Sequence, residues 1–141
     1  MHIRVNGIPA PQGSKTRNAA GALYESSRAV GPWREAVRAE TQAAMDRGWE
    51  EWVRHAFSRD GIGLPVEVHI GFWLPKPKSA PKSRTWPSKR PDLDKLVRAV
   101  LDGLVAGGAL ADDAQVVVLG ACKRYADDVR PPGCDIDIKE A

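Results

Sequence analysis

Cysteine is scarce in this chain of 141 residues: there are two, Cys122 and Cys134. They form no CxxC and have no His pair nearby, which excludes a small zinc-ribbon or zinc-finger site. Both fall in segments that read as strands, and both are expected to be small, buried apolar residues. Long hydrophobic runs are also missing. None approaches the ~18–20 residues that a membrane span needs. The N-terminus lacks the apolar core of a secretory signal. The expectation is a reduced, cytoplasmic protein. Acidic residues are absent from two stretches. None precedes Glu25, although Arg4, Lys15 and Arg17 do. None lies in 75–90, which carries Lys76, Lys78, Lys82, Arg84, Lys89 and Arg90. The net charge of +3 is modest, so the distribution of charge, not its total, points to a polyanionic partner.

The length suits one domain with a real core. Residues 2–8 alternate apolar and polar, which predicts a short strand. Pro9 to Lys15 reads as a loop, and 16–31 as a loop or short hairpin. Pro32 suits the first turn of a helix. Trp33, Val37, Thr41, Ala44 and Met45 carry the helical spacing to about residue 47. The segment 48–61 extends that helix or starts another. Val66 to Leu74 is β-branched and alternating, hence a strand. Residues 75–91 hold Pro75, Pro77, Pro81 and Pro87 before Pro91, which predicts a mobile or extended basic loop. A helix opens at Asp92 with the stripe Leu93, Leu96, Val97, Val100, Leu101 and Leu104. Gly103, Gly107 and Gly108 mark its end. Gln115–Tyr125 reads as a strand, 127–133 as a turn, and 134–139 as the strand that ends the sheet. The order predicts an α/β (α+β) domain, a mixed sheet with helices packed on it.

Chemistry concentrates in Arg90-Pro-Asp92-Leu-Asp94-Lys-Leu-Val-Arg98-Ala-Val-Leu-Asp102 and in Asp112-Asp113-Ala-Gln-Val-Val. Hard divalent ions take oxygen ligands, and few protein carboxylates suffice when a substrate phosphate supplies the rest. Carboxylates beside a basic surface suggest metal-assisted phosphodiester cleavage. Helix capping is the plain alternative, since Asp is favoured at an N-cap and in the first turn. Two aspartates do not need two caps, however, and a helix N-terminus also receives phosphate. Asp94, Arg98 and Asp102 share one helix face. They are either a surface ion-pair ladder worth a few tenths of a kcal/mol per pair, or a frame in which Arg98 offsets charge on phosphate. The basic loop is either a solvated linker or a DNA-backbone contact that offsets the carboxylates. Trp86 within it is placed to stack on an unpaired base or to anchor the loop. Pro91-Asp92 with Asp137-Ile-Lys139 spells another nuclease signature, but that signature needs adjacent strands. Asp135 and Asp137 read more simply as the solvent face of an edge strand.

These two segments, together with the opening Gly-Ile-Pro-Ala-Pro-Gln-Gly-Ser-Lys15, resemble the RusA family of Holliday-junction resolvases, in its phage and prophage branch. The resemblance implies a homodimeric, Mg²⁺- or Mn²⁺-dependent endodeoxyribonuclease. Such an enzyme serves DNA recombination and repair by cutting four-way junctions symmetrically, in the cytoplasm of a bacterium or a phage-infected cell. It puts the essential metal-binding carboxylates on Asp92, Asp94 and Asp113. The family's catalytic lysine falls on Arg98 and its usual asparagine on Lys95, while Lys123 matches a basic position in the following strand. Arg keeps the charge but differs from Lys in reach and hydrogen-bond geometry. The DNA-binding set is then Lys15, Arg17, the six cations of the loop, Lys95 and Lys123. The alternative is a non-catalytic DNA-binding or recombination accessory protein that keeps the fold.

Overall fold

A computed structural model describes residues 1–13, 15–17, 19–20, 23–25, 28–48 and 63–141, with backbone only for 15–17 and 23–25. Most of the ambiguous segment 48–61 lies outside them. Strand β1 is His2–Asn6, β2 is Lys15–Arg17 and β3 is Leu23–Glu25. Helix α1 is Val30–Asp46, strand β4 is Val66–Leu74 and helix α2 is Leu93–Ala106. A 3-10 turn at Asp113–Gln115 leads into β5, Val116–Tyr125, and β6 is Gly133–Glu140. The predicted first strand stops at Asn6 because Gly7 turns the chain, with φ 130° and its N–H donated to Pro132 O at 3.1 Å. The short hairpin offered for 16–31 is the antiparallel pair β2–β3.

The main sheet runs β1-β6-β4-β5 and is mixed: β4 and β5 are parallel, while β6 is antiparallel to both its neighbours. Two parallel neighbours need a long crossover, and the basic loop with α2 makes it. The fold is α+β, as the element order predicts. One expectation is corrected. The last strand does not lie at an edge, because β6 returns into the slot between β1 and β4 and is paired on both sides. A strand's place in the chain carries no information about its place in the sheet.

Alternation sorts the two faces of the sheet. Ile3 and Val5 of β1, Val66, Val68, Ile70 and Phe72 of β4, and Cys134, Ile136 and Ile138 of β6 are buried with the inner stripes of both helices. From α2 these include Leu96, Val97, Val100 and Leu104. Truncating any of the buried leucines to Ala is expected to cost about 2–5 kcal/mol. Gly103 is not a terminator, as the sequence suggested, but sits inside α2 against α1. A Cβ there would lie 2.6 Å from Val37 Cγ1. Gly107 is the C-cap, and a Cβ there would lie 2.5 Å from Thr41 Cβ. The two glycines let the helices approach closely. Arg34 and Asp102 add an ion pair across the same seam at 3.3 Å.

The opposite face of the sheet is polar and internally paired. His2 Nδ1 lies 2.8 Å from Asp137, Arg4 Nη1 lies 3.2 Å from Asp135, and Trp73 Nε1 donates to Asp135 at 2.7 Å. The hydrogen bond from His69, and then that from Lys139, holds the Glu67 carboxyl below its ordinary range. Asp137-Ile-Lys139 is therefore on the face away from α2, which removes the second nuclease signature. Burial pushes the Cys134 thiol up to about 12. Cys122 is exposed, against expectation. Its strand is an edge of the sheet, and its position lies on the uncovered face.

Candidate active site

The carboxylates of interest stand at two separate places: Asp92 and Asp94 at the start of α2, by the C-terminal end of β5, and Asp112 and Asp113 in the 3-10 turn that leads into β5, at the opposite end of the sheet. Asp92 occupies the N-cap position of α2, with extended backbone (φ −71°, ψ 136°), yet its side chain makes no capping hydrogen bond. It pairs with Lys95 at 3.4 Å instead. Asp94 lies in the first helical turn and is exposed. The capping alternative thus fails for both residues as a hydrogen-bonding account. Only the favourable dipole term remains.

The double-Asp step divides its labour. Asp112 accepts from Ala114 N at 2.8 Å and forms a capping box with Gln115. Gln115 Oε1 accepts from the N–H groups of Ala111 at 2.6 Å and Asp112 at 3.2 Å, and its Nε2 donates to Leu64 O at 3.0 Å. Asp112 and Gln115 are therefore structural, and they turn Asp113 outward. Asp113 and Asp94 have no side-chain hydrogen bond or ion pair among the described residues.

Arg98 is exposed one turn beyond Asp94 and, among the described residues, pairs with neither Asp94 nor Asp102. Asp102 is turned to Arg34 of α1. The alternative of an ion-pair ladder along α2 fails, because the neighbouring helix offers Asp102 a part-buried guanidinium. Arg98 keeps its five donors available.

Two clasps hold the start of α2, and a third holds the turn that carries Asp113. Lys123 Nζ donates to Lys89 O and to Pro91 O, both at 2.8 Å, and so fixes the chain immediately before Asp92. Gln12 N donates to Lys95 O at 3.0 Å, which lays the N-terminal loop on the first turn of α2. Gln115 ties the 3-10 turn to the start of β4. Sequence reasoning gave Lys123 to DNA and passed over Gln12 and Gln115. Gln12 Oε1 is buried without a partner among the described residues. A polar residue in a Pro-rich loop that must pack on a helix was the available signal.

The basic loop runs through turns closed by Ala80 N to Pro77 O and Arg84 N to Pro81 O. Lys76, Lys78, Lys82, Lys89 and Arg90 are exposed and Arg84 is half-buried. Lys76 sits 5.5 Å from the Tyr125 ring centroid. Lys15 and Arg17 lie on β2 by their backbone, and their side chains fall outside the described residues.

The donor set of Asp92, Asp94 and Asp113, hard oxygens with two of the three unpaired, suits a hard divalent cation. The geometry is not assembled for one. Among the described residues no three His, Cys, Asp or Glu side chains stand close enough to share an ion.

The family model described as "Endodeoxyribonuclease RusA" matches residues 6–139, and the chain belongs to the RusA family of endodeoxyribonucleases. No curated protein matches it. Among the described residues no helix is long and apolar enough to cross a membrane.

Proposed function

We propose that this protein cuts branched DNA, the four-way junction first, by hydrolysing phosphodiester bonds with Asp92, Asp94 and Asp113 as the essential carboxylates. The observation that carries the reading is the unpaired, outward state of Asp94 and Asp113, with Asp94 directly behind a loop that holds six cations and no acid. Neither residue is spent on folding, and Asp94 would repel DNA without the loop. In this reading the reaction depends on Mg²⁺ or Mn²⁺, which Asp92 and Asp94 would take together with the substrate phosphate; the fold of one chain does not bring Asp113 to the same ion. Such an ion, when bound, supplies an activated water and stabilises charge on the phosphoryl oxygens.

The chain's own side chains then have separate tasks. The loop cations attract and orient the DNA backbone. The first turn of α2 directs its free N–H groups and dipole toward phosphate. Arg98 offers a guanidinium fork to a non-bridging oxygen, where charge builds as the bond breaks. Lys95 screens Asp92 until substrate arrives. Paired cuts across a two-fold junction call for two copies of the chain related by a two-fold axis, so a homodimer is part of the proposal.

The test is a cleavage assay on four-way, three-way and linear duplex DNA, with Mg²⁺ or with EDTA. Paired nicks in the four-way substrate are expected, abolished by EDTA and by Asp92→Asn, Asp94→Asn or Asp113→Asn. Junction binding should survive or tighten in the variants, because each loses a charge that repels phosphate. Binding of junctions with no cutting at any metal concentration would instead make the protein a non-catalytic accessory factor.

A further inference from the structure

We propose that the protein carries a nucleobase-stacking site on the uncovered face of its sheet, apart from the carboxylates, which takes an unpaired nucleotide of its DNA. Trp86, in the basic loop, is 57% exposed. Water is an unfavourable surrounding for an indole, and this one is not left there for want of a partner in the body. Arg124 of β5 packs its guanidinium 5.4 Å from the Trp86 ring centroid and 6.0 Å from that of Trp73. Arg130 lies 4.6 Å from Trp73. Trp73 is itself fixed by its hydrogen bond to Asp135. Trp86 is therefore anchored through Arg124 while more than half of its surface stays open.

Trp73, Thr85, Trp86, Arg124 and Tyr125 surround a hollow of about 270 Å³. The wall contains no carboxylate. It combines flat aromatic surfaces with a cation that makes no ion pair among the described residues. That is the chemistry of a single-strand platform, in which bases stack on rings and a guanidinium serves both the stack and the backbone phosphate. Duplex DNA keeps its bases stacked on each other and has none to offer. Branch points, gaps and single strands do.

The site is joined to the carboxylates through adjacent residues. Lys123 turns to Lys89 O and Pro91 O before Asp92, and its neighbour Arg124 turns to the opposite side of the same strand, beside Trp73. A base held at Trp86 would thus restrain the same loop whose end positions Asp92. The inference deepens the branched-DNA reading and rests on the protein's action on DNA, not on its cutting.

The test compares binding of a single-stranded oligonucleotide and of the linear duplex of the same sequence, in EDTA, for the full chain and two variants. One further oligonucleotide carries 2-aminopurine, whose emission falls on stacking. The native protein is expected to bind the single strand and quench the 2-aminopurine. Trp86→Ala is expected to weaken single-strand binding by about 10-fold or more, the scale of one base stack, with duplex affinity unchanged and quenching abolished. Trp86→Phe should restore both. Equal weakening on single strand and duplex, or retained quenching in Trp86→Ala, overturns the proposal. So does a native protein that ignores single strands. If stacking is found but no substrate is ever cut, the nuclease reading falls and the stacking site stands.

Discussion

Lys123 offers the sharpest separation between a residue that touches DNA and one that builds the site. Its ammonium donates to two carbonyls at 2.8 Å. A hydrogen bond to a charged group is worth about 1.5–3 kcal/mol when sheltered. Lys123 is half-buried and water can take over part of the role, so the pair together is expected to contribute about 1–2 kcal/mol. The variant to make is Lys123→Met, which keeps the aliphatic stem and removes the charge. For a chain of this size that loss lowers Tm by about 3–6 °C. The loop end before Asp92 is then released, and the cleavage rate is expected to fall about 10-fold or more, since small misplacements of reacting groups are costly.

Two measurements decide the matter: thermal unfolding, and junction affinity as a function of salt. A clasp predicts a lower Tm and an unchanged slope of log affinity against log salt. A phosphate contact predicts the reverse, an unchanged Tm and a slope reduced by about 0.9. The second pattern would refute the structural role and return Lys123 to the DNA-binding set.

Asp112 and Asp113 should separate cleanly. Asp112→Ala loses a cap worth about 1 kcal/mol and melts lower but still cuts, whereas Asp113→Asn melts normally and does not cut; parallel melts and cleavage assays check both. Replacing Lys76, Lys78, Lys82 and Arg84 by Ala should flatten the salt dependence of junction binding by about 0.9 for each phosphate that is no longer neutralised, and an unchanged slope would take the loop off the DNA. Arg98→Ala should lower the single-turnover rate by about 10²-fold with little change in Tm, because it has no ion pair to lose; Arg98→Lys should stay active. With a disulfide-exchange reagent near pH 8, Cys122 should react in the folded protein and Cys134 only after unfolding. The thiolate is the reactive form, and a group held up to about 12 stays protonated there.

The strands and helices were legible in the sequence where one face is buried. Val66 to Leu74 alternates because β4 is covered on one side, and α2 shows its stripe because it packs on both α1 and the sheet. Three things were not legible. The position of β6 depends on which strand edges remain free once β1 and β4 have formed, and that is a property of the whole fold. Gly103 looked like a stop because a glycine in a helix costs about 1 kcal/mol relative to Ala, yet the close approach of Val37 requires it. Asp102 looked like the end of a ladder because spacing shows only partners on its own helix, and Arg34 is on another. At the candidate site the carboxylates were visible as a pattern, but their division into cap and free group needed the backbone. Asp112 and Asp113 are chemically alike and both exposed, and only the φ and ψ of the turn decide which one caps it.

That division bears on how a cluster of acids can work on a polyanion at all. Asp92, Asp94 and Asp113 would each oppose a phosphate. The screening length at physiological salt is about 8 Å, so compensating cations act only if they are held nearby. A loop with many prolines and no regular structure would ordinarily leave its charges spread over a wide volume. Here its end is pinned by Lys123 of β5, through two hydrogen bonds to the carbonyls of Lys89 and Pro91, immediately before Asp92. β5 therefore carries the restraint for both halves of the electrostatic balance. The loop cations Lys89 and Arg90 and the acids Asp92 and Asp94 are set in one frame at its C-terminal end before DNA arrives, and less ordering remains to oppose binding; Asp113 stands at the other end of the strand, outside that compensation. On this argument, cutting the loop's restraint should harm catalysis more than removing any single loop cation.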